Sequence, residues 1–449
     1  MITALGIGSG LDINGLLAQL ESAERLKLNP ITEQKQSTQA RISAFGSLKS
    51  ALSQLQIVSN KLNESTLFDS VKSSVSGTGV TAAAHPGAPV GSFQIEVTQL
   101  ARAFSVASTG LADRTTNLGA ATLSLELGSG ELISVDIAAE SSSLENVRDA
   151  INATGAGVQA ALVNDGSANP HRLVLTSTQT GTQAAISTID FGALAGSLAL
   201  DATTEVTARD ATLNINGIAI SSQSNQVEEA IQGITLNLTE TGSTSLTVAR
   251  DDKAVKDAIK SFVSTFNNLR SNIDSLNSFN ADTGVSGRLL GNSTLRSVQS
   301  QLRTVLSEGA GTGGGEFQQL SDIGITLQLD GKLELDEARL DDVISNDFAD
   351  LTSFFAGPSV NEGLAGRIHQ SMEQMLSEQG LINTATEGLT SSIERLDQRQ
   401  LRVEQGIDTT LDRFRTQFAR LDSLIAGLNA TSNVLVQQFD ALDGLRRTN

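Results

Sequence analysis

The sequence predicts an α+β multidomain protein. Both chain ends contribute to a helical coiled-coil terminal domain and a helical leg, and two β-rich head domains are inserted between them. Apolar residues near both ends recur at three- and four-residue intervals, which is the helical period. The interval from about residue 72 to residue 250 instead alternates apolar and polar residues, as strands do, and contains no lysine between Lys72 and Lys253.

The helical pattern is strongest near the carboxyl end, over residues 389–428. Two consecutive four-residue steps from Val403 through Ile407 to Leu411 form a stutter, which relaxes a left-handed supercoil locally. We therefore expect the stable leg to end near Ile407 and a terminal segment with different partners to follow. The apolar positions are Leu389, Ile393, Leu396, Val403, Ile407, Leu411, Phe414, Phe418, Leu421, Ile425 and Leu428.

The amino-terminal region supplies a second helical face that can cover this one. Asp12 is a credible N-cap, and Pro30 suits the first turn of a second helix. One face of the first helix is marked by Leu16, Leu17, Leu20 and Ala23. The second helix carries apolar residues at helical spacing, namely Phe45, Leu48, Leu52 and Leu55. Both ends of the chain therefore form apolar helical seams.

The middle of the chain is predicted to hold two related modules. The first has a hairpin across Gly128-Ser129-Gly130, a helix over residues 144–153, and strands over 158–163 and 171–178. The second repeats the order with strands in residues 211–220, a helix over residues 226–234, and strands over 235–240 and 245–249. A linker is expected near residues 192–206, and a separate hairpin is expected to turn at Asp330-Gly331.

We expect four domains built from interleaved segments. Residues 1–40 and 407–449 form the terminal coiled-coil domain, and residues 41–71 and 251–406 form the leg with its small hairpin. Residues 72–105 and 207–250 form the first β-rich head, and residues 106–206 form the second head, inserted in the first.

Composition excludes several classes of function. The net charge of −19 and a pI of about 4.6 oppose binding to nucleic acid or to anionic lipid. Cysteine, tryptophan and tyrosine are absent, which removes thiol chemistry and most stacking platforms for bases or sugars. Apolar residues never run long enough to span a membrane, and the first residues, MITALGIGSGLD, do not resemble a cleaved secretory signal.

The residues that most often carry catalysis show no convincing arrangement. The three histidines, His85, His171 and His369, are too scattered for a metal site or a triad. Acidic residues cluster at Asp336, Glu337, Asp341 and Asp342, but acids in the first turn of a helix are accounted for by its dipole. We expect no enzyme activity, no cofactor and no metal.

Four stretches, taken in order, resemble the bacterial flagellar filament cap proteins, also called hook-associated protein 2. They are GIGSGLDINGLLAQLESAE at residues 6–24, LLGNSTLRSVQSQLR at 289–303, LSDIGITLQLDGKLELDEARL at 320–340 and GLTSSIERLDQR at 388–399. In addition, residues 144–165 resemble a module that recurs in flagellin-like axial proteins.

The resemblance implies an extracellular cap at the tip of the flagellar filament, exported through the flagellar secretion apparatus. It implies a homo-oligomer of four to six copies, with five as the default, that promotes flagellin insertion and polymerisation. The implied partners are flagellin, the hook-filament junction protein and an export chaperone at the C-terminal helix.

We assign the predicted seam residues to two roles. The self-assembly seam is Leu16, Leu20, Ile407, Leu411, Phe414, Phe418, Leu421, Ile425 and Leu428, and the leg core is Phe45, Leu48, Leu52, Leu55, Leu389, Ile393, Leu396 and Val403. The alternative function is an adhesin whose heads bind host mucin or surface glycans. Another axial protein, such as flagellin or a junction protein, would share the terminal helices but is not expected to share residues 320–340.

Overall fold

The computed structural model describes residues 12–310, 315–359 and 361–446, with side chains described as far as residue 440. The chain divides into two compact units, Met1–Glu64 with Lys256–Asn449, and Ser65–Val255. The described helices are α1 Ile13–Arg25, α2 Asn29–Asn63, α3 Ser65–Phe68, α4 Leu144–Thr154, α5 Asp252–Asn277, α6 Ser293–Ser307, α7 Glu337–Asn346, α8 Phe348–Phe355, α9 Leu364–Leu376 and α10 Leu381–Arg446. The predicted fold class, helical chain ends around β-rich domains, is confirmed.

The described strands are short and pair antiparallel. They are β1 Val71–Gly77, β2 Val80–Ala84, β3 Gly91–Gln99, β4 Ser105–Ser108, β5 Ala121–Leu127, β6 Leu132–Ile137, β7 Val158–Asn164, β8 His171–Ser177, β9 Ile186–Asp190, β10 Leu200–Val206, β11 Ala211–Ile215, β12 Ile218–Ser222, β13 Gln226–Ile231, β14 Ile234–Leu238, β15 Gly242–Arg250, β16 Ile325–Leu327 and β17 Leu333–Leu335.

The helical unit is organised around α2 and α10. Asp12 caps α1 by accepting a hydrogen bond from the Gly15 amide at 2.8 Å, as predicted, and Pro30 lies in the first turn of α2. α2 packs against α9 and α10, α1 packs against α10, and α6 packs against α9. α10 continues unbroken for 66 residues, so it is about 100 Å long at 1.5 Å per residue.

The small hairpin lies within the helical unit, where the sequence predicts it. β16 and β17 pair on either side of the turn that contains Asp330 and Gly331. The Asn267 side chain on α5 holds β17, since its amide donates to the Leu333 carbonyl and its carbonyl accepts from the Leu333 amide, both at 2.8 Å. The next residue after the hairpin, Asp336, caps α7.

The β unit contains two hydrophobic cores. The first lies between a five-stranded sheet of order β1-β15-β3-β11-β12 and a three-stranded sheet of order β13-β14-β2. The second lies between sheets of order β10-β4-β8-β7 and β6-β5-β9, and is covered by α4 through Leu144, Val147 and Ile151. We call these the first β core, with buried residues from Val80–Ala101 and Ala211–Val248, and the second β core, within Phe104–Ala208.

Two expectations for the β unit are wrong. Residues 226–231 form strand β13, and the predicted linker at 192–206 contains β10, which pairs with β4. Val227 and Ile231 are four residues apart, which suits a helix, but a register shift between them lets both pair with β14 and face the first β core. Glu229 adopts a left-handed backbone within that irregularity, with φ of 59°.

Candidate functional site

The two ends of the chain meet as an antiparallel helix pair. Lys49 Nζ donates to Asn383 Oδ1 at 2.9 Å, and Lys35 Nζ lies 2.5 Å from Asp397 Oδ1. Lys35 lies fourteen residues before Lys49 on α2, and Asp397 lies fourteen residues after Asn383 on α10. α2 and α10 therefore run in opposite directions with an unchanged register over about four helical turns.

The residues predicted for the leg core differ in burial according to the helix that carries them. On α2, Phe45 is 1% exposed, and Leu48, Leu52 and Leu55 are fully buried because α9 and α10 cover that face together. On α10, the predicted residues are only half-buried, namely Leu389, Ile393, Leu396 and Val403. α10 thus shows a partly open apolar face even where α2 covers it.

The helix pairing extends beyond the predicted stutter. α10 is continuous there, and Ile407 and Leu411 are 3% and 8% exposed. α1 packs against this part of α10, and the pKa of Arg25 at its end is raised by a hydrogen bond and charge attraction to Glu21, with smaller contributions from Asp408 and Glu404. Burial within one chain therefore extends at least as far as Leu411.

α1 contributes one buried residue, Ile13, that the sequence reasoning missed. Ile13 and Leu17 are buried, whereas Leu16 is 48% exposed and Leu20 is half-buried. The spacing of Ile13, Leu17 and Leu20 is four and then three residues, which is itself a helical stripe. This signal was present in the sequence and identifies Ile13 and Leu17 as the buried positions of α1.

An aromatic pair lies on α10 just after the buried Leu411. The rings of Phe414 and Phe418 stack with centroids 6.3 Å apart, and both side chains are half-buried. The Arg413 guanidinium carbon lies 5.5 Å from the centroid of the Phe414 ring. The pair thus lies between the buried part of α10 and an exposed part that follows.

The exposed part, which we call the terminal stripe, comprises the apolar residues of α10 from Leu421 to Phe439. Leu421 is 44% and Leu428 61% exposed, and Ile425 between them is half-buried. The other exposed residues of the stripe were not predicted, namely Leu424, Val434, Leu435, Val436 and Phe439. Leu421, Leu428 and Leu435 recur every seven residues, and this heptad spacing could have extended the prediction. Apolar exposure on this scale is typical of an interaction surface.

The acidic residues near the hairpin have structural roles. Asp336 Oδ1 accepts from the Ala338 and Arg339 amides at 3.0 and 3.1 Å, and Asp342 pairs with Arg339 at 2.7 Å. Hydrogen bonds from Lys260 and then Lys256 lower the pKa of Glu337. Lys256 also lies 2.6 Å from Asp341.

The described residues form neither a metal-binding cluster nor a membrane-spanning helix. They contain no group of three or more His, Cys, Asp or Glu residues placed to hold a metal ion. Among the same residues, no helix is both long and apolar enough to cross a membrane.

Both ends of the chain resemble known flagellar proteins. Residues 9–104 match the model for the N-terminus of flagellar hook-associated protein 2, and residues 208–430 match the model for its C-terminus. The flagellar hook-associated protein 2 of Escherichia coli strain K12 is 35% identical over 98% of both chains. The chain belongs to the flagellar hook-associated protein 2 family.

Other members of the family are similar to this chain over most of their length. The A-type flagellar hook-associated protein 2 of Pseudomonas aeruginosa is 30% identical over 99% of this chain and 98% of its own. The crystal structure of the D1-D2-D3 domains of the Escherichia coli flagellar cap protein FliD is 33% identical and covers 77% of this chain and 99% of that one, with a TM-score of 0.68. Residues 122–179, in the second β core, match the flagellin hook IN motif.

The predicted resemblance to this family is thus confirmed, and its members are structural cap proteins. Of the stretch that carried the resemblance at the amino end, residues 6–11 lie outside the described residues.

Proposed function

We propose that this chain is the structural cap at the distal tip of a bacterial flagellar filament, where copies assemble into a ring and promote insertion and polymerisation of flagellin. The observation that carries the proposal is the exposed terminal stripe, which lies on the same continuous helix as the buried Ile407 and Leu411. Membership of the hook-associated protein 2 family supports the cap role. Four to six copies, with five as the default, are part of the proposal.

The seam residues divide into two groups in this proposal. Ile407 and Leu411 hold the two chain ends together, because both are buried within one copy. The second group remains partly or largely exposed within one copy, and it joins neighbouring copies or the filament. It comprises Phe414, Phe418, Leu421, Ile425 and Leu428 on α10, with Leu16 and Leu20 on α1. Burying such side chains between copies would stabilise the ring by roughly 1.5–3 kcal/mol for each one fully buried.

We assign one role to each of the predicted domains. Residues 1–40 and 407–449 would form the terminal domain that holds the filament, and residues 41–71 and 251–406 the leg. Residues 72–105 with 207–250, and residues 106–206, would form the heads of the cap plate. The other partners in the proposal are the hook-filament junction protein and an export chaperone that binds the C-terminal helix before assembly outside the cell.

The first test places charge on the aromatic pair. Phe414→Asp with Phe418→Asp should abolish ring formation in sedimentation velocity and should reduce flagellin polymerisation on capped filaments at least tenfold. The matched control is Thr416→Asp with Gln417→Asp, which adds the same charge at exposed positions of the same turns. Normal rings and normal polymerisation with the Phe variant would refute the proposed contact.

The second test removes the terminal stripe alone. A chain that ends at Arg420 keeps Ile407, Leu411 and the aromatic pair, so the α1 and α10 contact is preserved. We expect this chain to stay monomeric at concentrations where the full chain assembles, and to lose binding to filament tips. Assembly equal to that of the full chain would show that the stripe does not join copies.

A further inference from the structure

The two cores of the β unit do not merge into one apolar interior. Their buried residues form separate clusters, one within Phe104–Ala208 and the other from Val80–Ala101 and Ala211–Val248. An open cavity of about 530 Å³ has walls from both sides. Its lining includes Leu127, Ser129 and Gln183 from the second β core, and Gln223 and Ser224 from the first. Apolar packing across this cavity therefore cannot fix how one core is oriented on the other.

The covalent connection between the cores is narrow. The chain enters the second β core after residue 101 and leaves it before residue 211, and the two crossings pair at one bridge. The Arg102 amide donates to the Arg209 carbonyl at 2.8 Å, and the Arg209 amide donates to the Arg102 carbonyl at 3.2 Å. Because the two connecting segments are joined at one bridge, they keep the two cores from separating. They still permit the second core to rotate relative to the first about an axis through the bridge.

A loop of the second β core reaches across to the first and supplies the missing restraint. The Thr182 amide donates to Asp210 Oδ1 at 2.6 Å, and the Gln183 amide donates to Gln223 Oε1 at 2.9 Å. Thr180 Oγ1 donates to the Gln223 carbonyl at 2.7 Å, and Gln223 Nε2 donates to Asp210 Oδ2 at 2.9 Å. We call residues 180–183 with Asp210 and Gln223 the clasp.

The clasp is firmly attached on the side of the second β core. The Ser129 amide donates to the Gln183 carbonyl at 2.9 Å, and the Gly128 amide donates to the Ala185 carbonyl at 2.7 Å. The loop therefore moves with the β5–β6 hairpin, and movement between the cores must break the contacts to Asp210 and Gln223.

The clasp also demands a glycine. Gly181 has φ of +92°, and a Cβ at this position would lie 2.3 Å from Gln223 Oε1 and 2.7 Å from its Cα. A side chain would thus be strained in its own backbone and would push Gln223 away. The local chain is shaped for close approach to the first β core rather than for a free loop.

We propose that the clasp is a releasable lock that holds the second β core in one orientation on the first, and that its opening lets the second core rotate about the Arg102–Arg209 bridge. Its bonds are polar and border an open cavity, so water can replace each of them when the lock opens. Neither hydrophobic core has to be disrupted by this motion. The lock concerns movement within the β unit and does not depend on how copies assemble.

The absence of cysteine from the sequence allows a direct distance measurement on the full chain. Ser134→Cys on β6 and Ser221→Cys on β12 place spin labels at exposed positions of the second and first β cores. Pulsed electron paramagnetic resonance should give one narrow distance distribution. Asp210→Ala with Gln223→Ala should at least double its width or add a second peak, and Gly181→Val should do the same.

The matched control is Asp113→Ala with Gln226→Ala, which removes one carboxylate and one amide outside the clasp. It should leave the distance distribution between the spin labels unchanged. Circular dichroism of each variant establishes that both cores are folded. An unchanged narrow distribution in the folded Asp210→Ala, Gln223→Ala chain would overturn the lock.

A second measurement uses the chain without substitutions, so it stands even where a variant fails to fold. In hydrogen exchange, the Thr182 and Gln183 amides should exchange at least tenfold faster than the Leu125 and Leu236 amides in the two cores, through local opening. If the clasp amides exchange only as fast as the cores unfold, the clasp does not open separately and the proposal is wrong.

Discussion

Lys35 and Asp397 are joined by an ion pair with 2.5 Å between Nζ and Oδ1, although one lies near the start of the chain and the other near its end. The Lys35 ammonium also donates to Gln400 Oε1, one turn further along α10, at 3.1 Å. The side chains are 31% and 45% exposed, so solvent weakens the attraction. Such a pair stabilises modestly and mainly selects the register in which α2 and α10 meet.

A charge reversal tests this pair. Lys35→Glu and Asp397→Lys should each destabilise the helical unit, because each places like charges in contact, and the double variant should recover most of the loss. The coupling energy from a double-mutant cycle should be about 0.2–1 kcal/mol, measured by urea unfolding followed by circular dichroism. The control is the same cycle on Arg415 and Asp412, an ion pair within α10. Because both residues lie on one helix, their reversal should not affect the packing of α2. Additive effects at Lys35 and Asp397 would exclude the pair in solution.

The buried face of α2 should dominate the stability of the helical unit. Leu48 is fully buried, and Leu48→Ala should reduce the free energy of unfolding by about 2–5 kcal/mol, because it removes apolar contacts and leaves a cavity. Ile57, on the same helix, is 68% exposed, and Ile57→Ala should change stability by less than about 0.5 kcal/mol. Equal losses at the two positions in urea unfolding would contradict the assigned faces of α2.

Apolar spacing was sufficient to predict the long helices and the small hairpin. The three- and four-residue steps of Phe45, Leu48, Leu52 and Leu55 reproduce the buried face of α2, because helix geometry alone decides which residues share a face. The turn at Asp330 and Gly331 was also correct, since few residue pairs allow so tight a reversal.

Spacing failed where long-range contacts decide the structure. The sequence predicts apolar faces on α1 and on α10 near Leu411, but spacing alone does not show which residues of the two faces meet. Similarly, Val227 and Ile231 fit a helix by spacing, and only the pairing with β14 makes them a strand. The clasp joins residues 180–183 to Asp210 and Gln223 mostly through polar side chains, which leave no periodic signal.

Asp165 in the second β core should titrate far below an ordinary aspartate. Hydrogen bonds from Ser167, and then from Arg172, lower its pKa to about 2, and the Ser167 amide donates to Asp165 Oδ1 at 2.9 Å. Arg172 Nη1 also lies 2.8 Å from Asp201 Oδ2, and hydrogen bonds from Thr203 and then Arg172 lower the pKa of Asp201. Because the folded pKa is depressed, the contribution to stability is complete above the ordinary value of about 3.9 and is lost as pH falls towards 2.

Carboxyl-carbon NMR can follow this titration, with Asp165→Asn used to assign the signal. Arg172→Gln should raise the pKa of Asp165 while leaving it below about 3.9, because the larger contribution from Ser167 remains. In urea unfolding, the stability difference between the original chain and Asp165→Asn should shrink as the pH falls from 5 to 2. A titration of Asp165 near 4 in the original chain would refute the assigned contacts.

The left-handed backbone at Glu229 distinguishes the observed strand from the predicted helix. A residue with a Cβ at φ of 59° is strained by roughly 1–2 kcal/mol, and glycine relieves that strain. Glu229→Gly should therefore leave the β unit equally stable or stabilise it by up to about 1 kcal/mol. The neighbouring Glu228→Gly should destabilise it by about 0.5–1 kcal/mol, because glycine in an ordinary strand position adds only conformational freedom to the unfolded chain. In a helix both substitutions would cost about 1 kcal/mol, so equal losses in thermal unfolding would favour the helix, and a gain or no change at Glu229 alone would favour the irregular strand.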